Sequence, residues 1–488
     1  MSRDTGRDDT ERSDTDRTAS RRSVLAAAGA LGASAALPFA TGRASAGVGD
    51  LVDDTLDLAS DALQGTLVVF ESNDDVDLLG DLDLAEGFLS FDVLPVGYTL
   101  LSGSQIETVA GWDEVRYVEA NRDLDYHNAD AREVTGVSTV QNDLGYDGSS
   151  VHTAVIDSGV AGSHPDLDHA VENNYQWAGN PLGEPTLWLP VGGLDSDDIG
   201  HGTHCSGTIA GDGTKSDGED AGMAPGASLT VYSSGAAVSI LKAAAAFDHL
   251  LANHADEVSI VSNSYGAASA DDYNPDGALQ TATWETFDAG LLPVFSAGNS
   301  GPGNDTLNDY AKAPHVLSVA ATDDQKAVTE FSSRGRAAST GANYDRQTAL
   351  DNLRSYYDSG SASGPVGLYR NGVGAPGNAV TSTMSPLDVL NATGGDTDLY
   401  YATISGTSMS CPVTSGTATL MVDAAQQEGH GTPAPIDVLN TLEATAYEAL
   451  DSYTPANVGA GFVDAEAAVQ RAADGNFAGF GDVTLTQP

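Results

Sequence analysis

Ile404-Ser405-Gly406-Thr407-Ser408-Met409-Ser410-Cys411-Pro412 is the stretch that decides how this chain is read. Gly406 lets the backbone come close to a ligand. The small residues after it run into Val413-Thr414-Ser415-Gly416-Thr417-Ala418-Thr419-Leu420-Met421, a buried-helix pattern. Ser408 therefore falls at a helix start, where unpaired N–H groups and the helix dipole favour negative charge. Pro412 is compatible with a first turn, whose N–H groups have no helical partner. A serine so placed can attack a carbonyl, and its own N–H can help to hold the oxyanion. Small residues ahead of a helix are also ordinary packing, so the stretch needs company to carry meaning.

Two other stretches supply it. Val151-His152-Thr153-Ala154-Val155-Ile156-Asp157-Ser158-Gly159-Val160 is an apolar strand ending in an acid, and Gly200-His201-Gly202-Thr203-His204-Cys205-Ser206-Gly207-Thr208-Ile209-Ala210-Gly211 carries two histidines. Together the three resemble the subtilisin-like serine proteases (subtilases), with Asp157, His201 and Ser408 on the catalytic positions in the subtilisin order Asp, His, Ser. The resemblance covers roughly residues 135–470. It implies a three-layer α/β sandwich with a mostly parallel central sheet, and hydrolysis of peptide bonds in protein or peptide substrates.

Each residue has a plainer alternative. Asp157 alone is a strand-end turn acid; beside the other motifs it holds His201 in the right tautomer. His201 takes the Ser408 proton and returns it to the leaving amine. His204, three residues on, reads as structural: a metal-binding pair on a helix has i, i+4 spacing with a Glu. Asp166 and Asp168 are weaker acid candidates. Val294-Phe295-Ser296-Ala297-Gly298-Asn299 resembles the subtilase oxyanion segment, with Asn299 and the Ser408 N–H as donors; the alternative is an Asn-Ser-Gly turn. Ser264-Tyr265-Gly266 matches the segment that pairs with extended substrate in that family. With Ser296-Ala297-Gly298 it walls a roomy, uncharged primary pocket. An even cysteine count in an exported protein suggests a disulfide between Cys205 and Cys411, but both lie early on helices that should be buried, and buried free thiols are expected.

The formal charge is −50, and lysine occurs only at 215, 242, 312 and 326. Nucleic acid is excluded as a partner, since phosphate binding needs a basic face. The acids are dispersed and 41% of residues are hydrophobic, which argues against disorder. An acidic surface hydrated in high salt fits, like proteins of extreme halophiles; at molar salt the Debye length is ~3 Å and self-repulsion is screened.

Four segments are expected. Residues 1–46 hold Arg21-Arg22, an Ala/Gly/Leu run and Ala44-Ser45-Ala46, a twin-arginine export signal with its cleavage site. The run is shorter than the ~20 residues a span needs, so the mature protein is expected outside the cell, free of the membrane. Residues 47–130 form a small α+β unit, with strands near 66–71, 97–101 and 115–119 and a helix at 104–110 capped by Ser104 and Glu107; the resemblance implies an inhibitory propeptide, an independent binding domain being the alternative. Residues 131–475 form the catalytic domain, with strands near 151–156, 228–232, 258–263, 292–296 and 316–320 and helices near 137–144, 201–210, 240–252, 276–289, 409–428 and 436–445. Residues 335–372 form a surface excursion without periodicity, and 476–488 a tail. A monomer is expected. The chemistry needs no cofactor. Calcium is common in the family, but the acidic loops at 195–198 and 271–276 lack EF-hand spacing, and no ligands are assigned. A non-catalytic peptide-binding protein on the same fold is the competing functional reading.

Overall fold

The computed structural model describes residues 51–52, 56–85, 87–90, 95–120, 128–178, 188–340, 342–390 and 399–487. The expected export signal and cleavage site, residues 1–46, lie outside them. The chain divides into two compact units between Asp125 and Tyr126.

The first unit is a four-stranded antiparallel sheet. Its strands are β1 (Gln64–Phe70), β2 (Phe88–Ser90), β3 (Val96–Leu101) and β4 (Val115–Ala120), in the order β2-β3-β1-β4. Period-2 burial along β1 puts Val68 and Phe70 against Ile106 and Val109 of helix α1 (Gly103–Ala110). The helix cap is Ser102, whose N–H donates to Gln105 Oε1 at 2.9 Å, and not the expected Ser104 with Glu107. Gly103 already lies in the helix: a Cβ there would stand 2.2 Å from the Leu58 carbonyl oxygen, so no other residue starts the helix at this contact. Ser104 is thereby moved inside.

The second unit opens with helix α2 (Asn128–Thr135), so the boundary expected at residue 130 falls within a helix. Helical turns follow over Val137–Thr139 and Val140–Leu144. The strands are β5 (His152–Asp157), β6 (Val171–Trp177), β7 (Trp188–Pro190), β8 (Ser228–Ser233), β9 (Val258–Asn263), β10 (Leu292–Ser296), β11 (Leu317–Thr322) and β12 (Val373–Pro376). They form one sheet in the order β12-β11-β10-β9-β5-β8-β6-β7, in which only β7 pairs antiparallel. β5 is buried at every residue, as a strand covered on both faces must be. Val155, Val231 and Ile260 face helices α3 (His201–Ala210), α7 (Thr407–Gln427), α8 (Pro435–Thr445) and α9 (Ala465–Ala473). Ala154, Ile156 and Tyr232 face α4 (Ile240–Asn253), α5 (Ala278–Asp288) and α6 (Arg346–Ser359). The result is a three-layer α/β sandwich. A separate hairpin of β13 (Val380–Thr383) and β14 (Tyr401–Ile404) feeds directly into α7.

The excursion is ordered by a helix, α6, that sparse periodicity concealed. Only Ala349, Leu350 and Leu353 of its apolar side chains are buried. It is fixed by charge instead. Arg346 and Arg370, both within the excursion, bond to the fully buried Glu443 of α8, at 2.6 Å and 2.7 Å. Tyr357 stacks on Trp284 with ring centroids 4.8 Å apart. The tail also packs: Ala478 N–H donates to Thr441 Oγ1 and Thr486 Oγ1 to the Gly459 carbonyl.

All four lysines hold a partner. Lys312 is buried, donating to the Ser269 and Asp271 carbonyls. Lys242 donates to the Ala237 carbonyl, Lys326 to Tyr447 Oη, and Lys215 lies over the Tyr400 ring. Among the described residues no helix is long and apolar enough to cross a membrane.

Candidate active site

Functional groups in open α/β folds gather at the carboxyl ends of the strands. Asp157 ends β5, Ser264-Tyr265-Gly266 follows β9, and Asn299 follows β10 by three residues. These strands are neighbours, so their ends share one rim. α3 and α7 begin there with His201 and Thr407.

Asp157 Oδ1 takes the Ser158 N–H and His201 Nδ1, each at 2.7 Å. Gly202 permits this approach: a Cβ on it would stand 2.2 Å from the Gly159 carbonyl oxygen and 3.0 Å from Asp157 Cβ. The turn ahead of His201 is held by Asp197, a residue that sequence reasoning placed only in an acidic loop. Its buried carboxylate takes the N–H groups of Ile199, Gly200 and Thr203 and the Thr203 hydroxyl, at 2.8–3.0 Å. Asp-x-x-x-His with a Thr two residues beyond is the signal that could have found it. Burial works against protonation of His201, but Asp157, followed by Cys205, raises it well above the ordinary imidazole value. His204 is buried and pushed down to about 3 by desolvation; its Nε2 bonds to the Val380 carbonyl, as a structural histidine would. Asp166 is likewise occupied, taking the Tyr401 hydroxyl and the Lys215 N–H.

Ser408 is the second residue of α7. Its hydroxyl donates to the Ser264 carbonyl at 3.2 Å. Asn299 Oδ1 takes both the N–H and the hydroxyl of Thr407, each at 2.9 Å. This turns the amide nitrogen toward Gly406: a Cβ there would lie 3.3 Å from Asn299 Nδ2 and 3.6 Å from Ser408 N. Two N–H donors thus border one point beside the nucleophile candidate. Pro412 is not in the first turn as expected, but is the sixth residue of a helix that continues to Gln427.

A cavity of about 270 Å³ adjoins Ser408, lined by Ser264, Tyr265, Gly266, Ser296, Gly298 and Asn299 among others. Ala297 is fully buried behind this wall. Tyr265 bends its ring inward against Phe295 and donates to Asn263 Oδ1 at 2.9 Å. Beyond Gly266 lies an apolar cavity of about 530 Å³ with Val238, Ile240, Leu279 and Tyr310. Another of about 770 Å³ opens near Glu257 and Val258, at the amino ends of the strands and away from these groups.

Cys205 and Cys411 are free and buried. Among the described residues, Asp157, His201 and Cys205 are the one group of three side chains placed to share a metal ion, a set of one oxygen, one nitrogen and one sulfur unlike the all-oxygen shell calcium takes. In the acidic loop, Asp195 and Asp197 accept N–H groups of their own turn.

The sequence pattern of Peptidase_S8, the subtilase family, matches residues 148–480. Serine protease AprX of Bacillus subtilis (strain 168) is 30% identical over 367 residues, 72% of this chain and 73% of AprX. Minor extracellular protease Vpr of the same strain is 33% identical over 230 residues, 43% of this chain and 25% of Vpr. Among solved structures, S41 Psychrophilic Protease superposes with a TM-score of 0.52 at 23% identity, over 70% of this chain and 99% of that one, a likeness of fold. The chain belongs to the subtilase family and is a serine endopeptidase.

Proposed function

We propose that the protein is an exported, autoprocessed endopeptidase in which Ser408 is the nucleophile, His201 the general base and acid, and Asp157 its orienting partner. One observation supports this most: Asn299 Nδ2 and Ser408 N border a common point while Asp157 holds His201 Nδ1 at 2.7 Å. An extended substrate lies along Ser264-Tyr265-Gly266 as an added strand. Its N–H claims the Ser264 carbonyl and so releases the Ser408 hydroxyl toward His201. Ser408 Oγ adds to the scissile carbonyl as His201 Nε2 takes its proton; Asn299 Nδ2 and the Ser408 N–H receive the oxyanion. His201 then protonates the leaving amine, and water, activated by the same imidazole, hydrolyses the acyl-enzyme. The Tyr265–Gly298 wall is uncharged and takes an uncharged side chain; the apolar cavity beyond Gly266 takes a second. All these groups come from one chain, and a monomer suffices without a cofactor.

The first unit acts as an inhibitory propeptide. Its release follows self-cleavage on the amino-terminal side of Asn128, since helix α2 offers no extended backbone. Export follows the twin-arginine route through Arg21-Arg22; an extracellular destination accords with the relative Vpr, a minor extracellular protease. Labelling by an organofluorophosphate tests the core of the reading. Wild-type protein should be labelled and Ser408→Ala protein should not, and Ser408→Ala should keep its first unit attached. Unchanged labelling of Ser408→Ala refutes the assignment. Normal secretion after Arg21→Lys and Arg22→Lys refutes the route.

A further inference from the structure

A helical N–H at residue 412 would bond to the carbonyl of residue 408. Pro412 has no N–H, and α7 runs on for fifteen residues beyond it, so the proline does not end the helix. The carbonyl left without its helical donor is that of Ser408. A carbonyl in this partly buried position gains from another partner, and it finds two. Ser264 Oγ donates at 2.9 Å and Cys205 Sγ at 3.5 Å.

We propose that Ser264 and Cys205 are positioning residues, which hold the nucleophile's backbone through the carbonyl that Pro412 leaves open. The proposal rests on Ser408 being the nucleophile. Ser264 follows β9, whose end carries the proposed substrate edge. Cys205 lies one turn beyond His201 on α3, with its sulfur 3.9 Å from His201 Nδ1. Nucleophile, base and substrate edge therefore meet at one oxygen atom. Were that carbonyl bonded within its own helix, Ser408 would be referenced to α7 alone. Bonded sideways, it is referenced to the two elements with which it must react. Ser264 closes the arrangement from both sides, since its own carbonyl takes the Ser408 hydroxyl. Burial pushes the Cys205 thiol up, so it keeps the proton it donates. A thiol is the weaker donor of the two and sits at the longer distance, so Ser264 carries most of the effect.

The test is a double-mutant cycle with Pro412→Ala, which restores the missing N–H. Full-length protein is matured in molar salt. Turnover of a peptide substrate is expressed per site titrated with an organofluorophosphate. Ser264→Ala should lower kcat about tenfold, the worth of one hydrogen bond felt at the nucleophile, with KM within about twofold because the backbone that meets substrate is unchanged. Cys205→Val should lower kcat about two- to threefold. In the Pro412→Ala background the Ser264→Ala loss should shrink below about threefold, because the helix now supplies the donor. Ser264→Thr keeps the hydroxyl and should recover most of the rate in the natural background. This arm decides alone if Pro412→Ala does not fold. Equal losses in both backgrounds, a loss confined to KM, or Ser264→Thr as slow as Ser264→Ala overturns the proposal, while the titration still counts Ser408 sites. A wild-type protein that titrates no Ser408 overturns the triad assignment, and this proposal with it.

Discussion

Replacing Glu443 by glutamine should destabilise the protein far more than its distance from the catalytic rim suggests. Glutamine keeps the shape and removes the charge. Glu443 is fully buried and accepts from Arg346 Nη2 at 2.6 Å, Arg370 Nη1 at 2.7 Å and Arg370 Nη2 at 2.8 Å. Burial alone would push its carboxyl up, but the two guanidiniums bring it from 4.5 down to about 2. That shift corresponds to about 3 kcal/mol. Breaking a buried pair by removing one partner costs about 3–5 kcal/mol, because the other charge is left uncompensated; here two cations are left. We expect urea melts of Glu443→Gln in molar salt at pH 7 to show a deficit of about 3–5 kcal/mol. The folded-state value lies below the unfolded one, so the contribution is present above pH 4.5 and is lost as pH falls through about 2. The deficit should therefore shrink near pH 3. It should hardly change with salt concentration, because a buried pair is poorly screened. The triple variant Arg346→Met, Glu443→Leu, Arg370→Met should regain most of the loss. A deficit below about 1 kcal/mol at pH 7, the range of an exposed pair, would refute the argument.

The remaining expectations concern the site and the surface. Because Asp157 raises His201 well above the ordinary 6.5, the acid limb of kcat/KM should have its midpoint above that value, activity rising with pH as the imidazole loses its proton; Asp157→Asn should move the limb down, and a wild-type midpoint at or below 6.5 would contradict the geometry. Asn299→Ala should lower kcat by about 10²–10³ with little change in KM, the range taken from removal of such a donor in a subtilisin; a loss under about fivefold would remove Asn299 from the oxyanion site. Burial, with Asp197, Asp195 and Asp198 nearby, pushes Asp388 up from 3.8 to about 7, so its stabilising protonation is lost as pH rises through 7, and Asp388→Asn should raise stability at pH 8 by on the order of 2–4 kcal/mol and leave it unchanged near pH 4, by thermal melts. With a formal charge of −50, dialysis into dilute buffer should unfold the protein, as followed by circular dichroism; full activity after such dialysis would overturn the salt requirement.

The parts of the fold legible in sequence are those where burial on both faces leaves one residue type. β5 and β10 are buried at every residue around the apolar runs Ala154-Val155-Ile156 and Leu292-Pro293-Val294-Phe295, and the glycine and alanine steps of α3 and α7 mark helices in close contact with the sheet. β6, Val-Glu-Asn-Asn-Tyr-Gln-Trp, escaped because it lies near the sheet edge with mostly polar, half-exposed side chains. α6 escaped because buried arginine holds it where aliphatic residues usually do. The three motifs carrying Asp157, His201 and Ser408 were readable because each couples a polar residue to the glycines that let neighbouring backbone close in. Asp197 and the true place of Pro412 were not, since their meaning lies in which N–H groups are satisfied, and a sequence does not display that.

The four held lysines bear on how the protein can be handled. Coupling to solid supports, cross-linking and most fluorescent labelling rely on free amines. Here one ammonium is buried among carbonyls and the others already rest against a carbonyl, a hydroxyl or an aromatic ring. Amine reagents will therefore meet the terminal amino group and only the three lysines that are not buried, few points of attachment per molecule, whereas reagents directed at carboxylates will find handles over the whole surface.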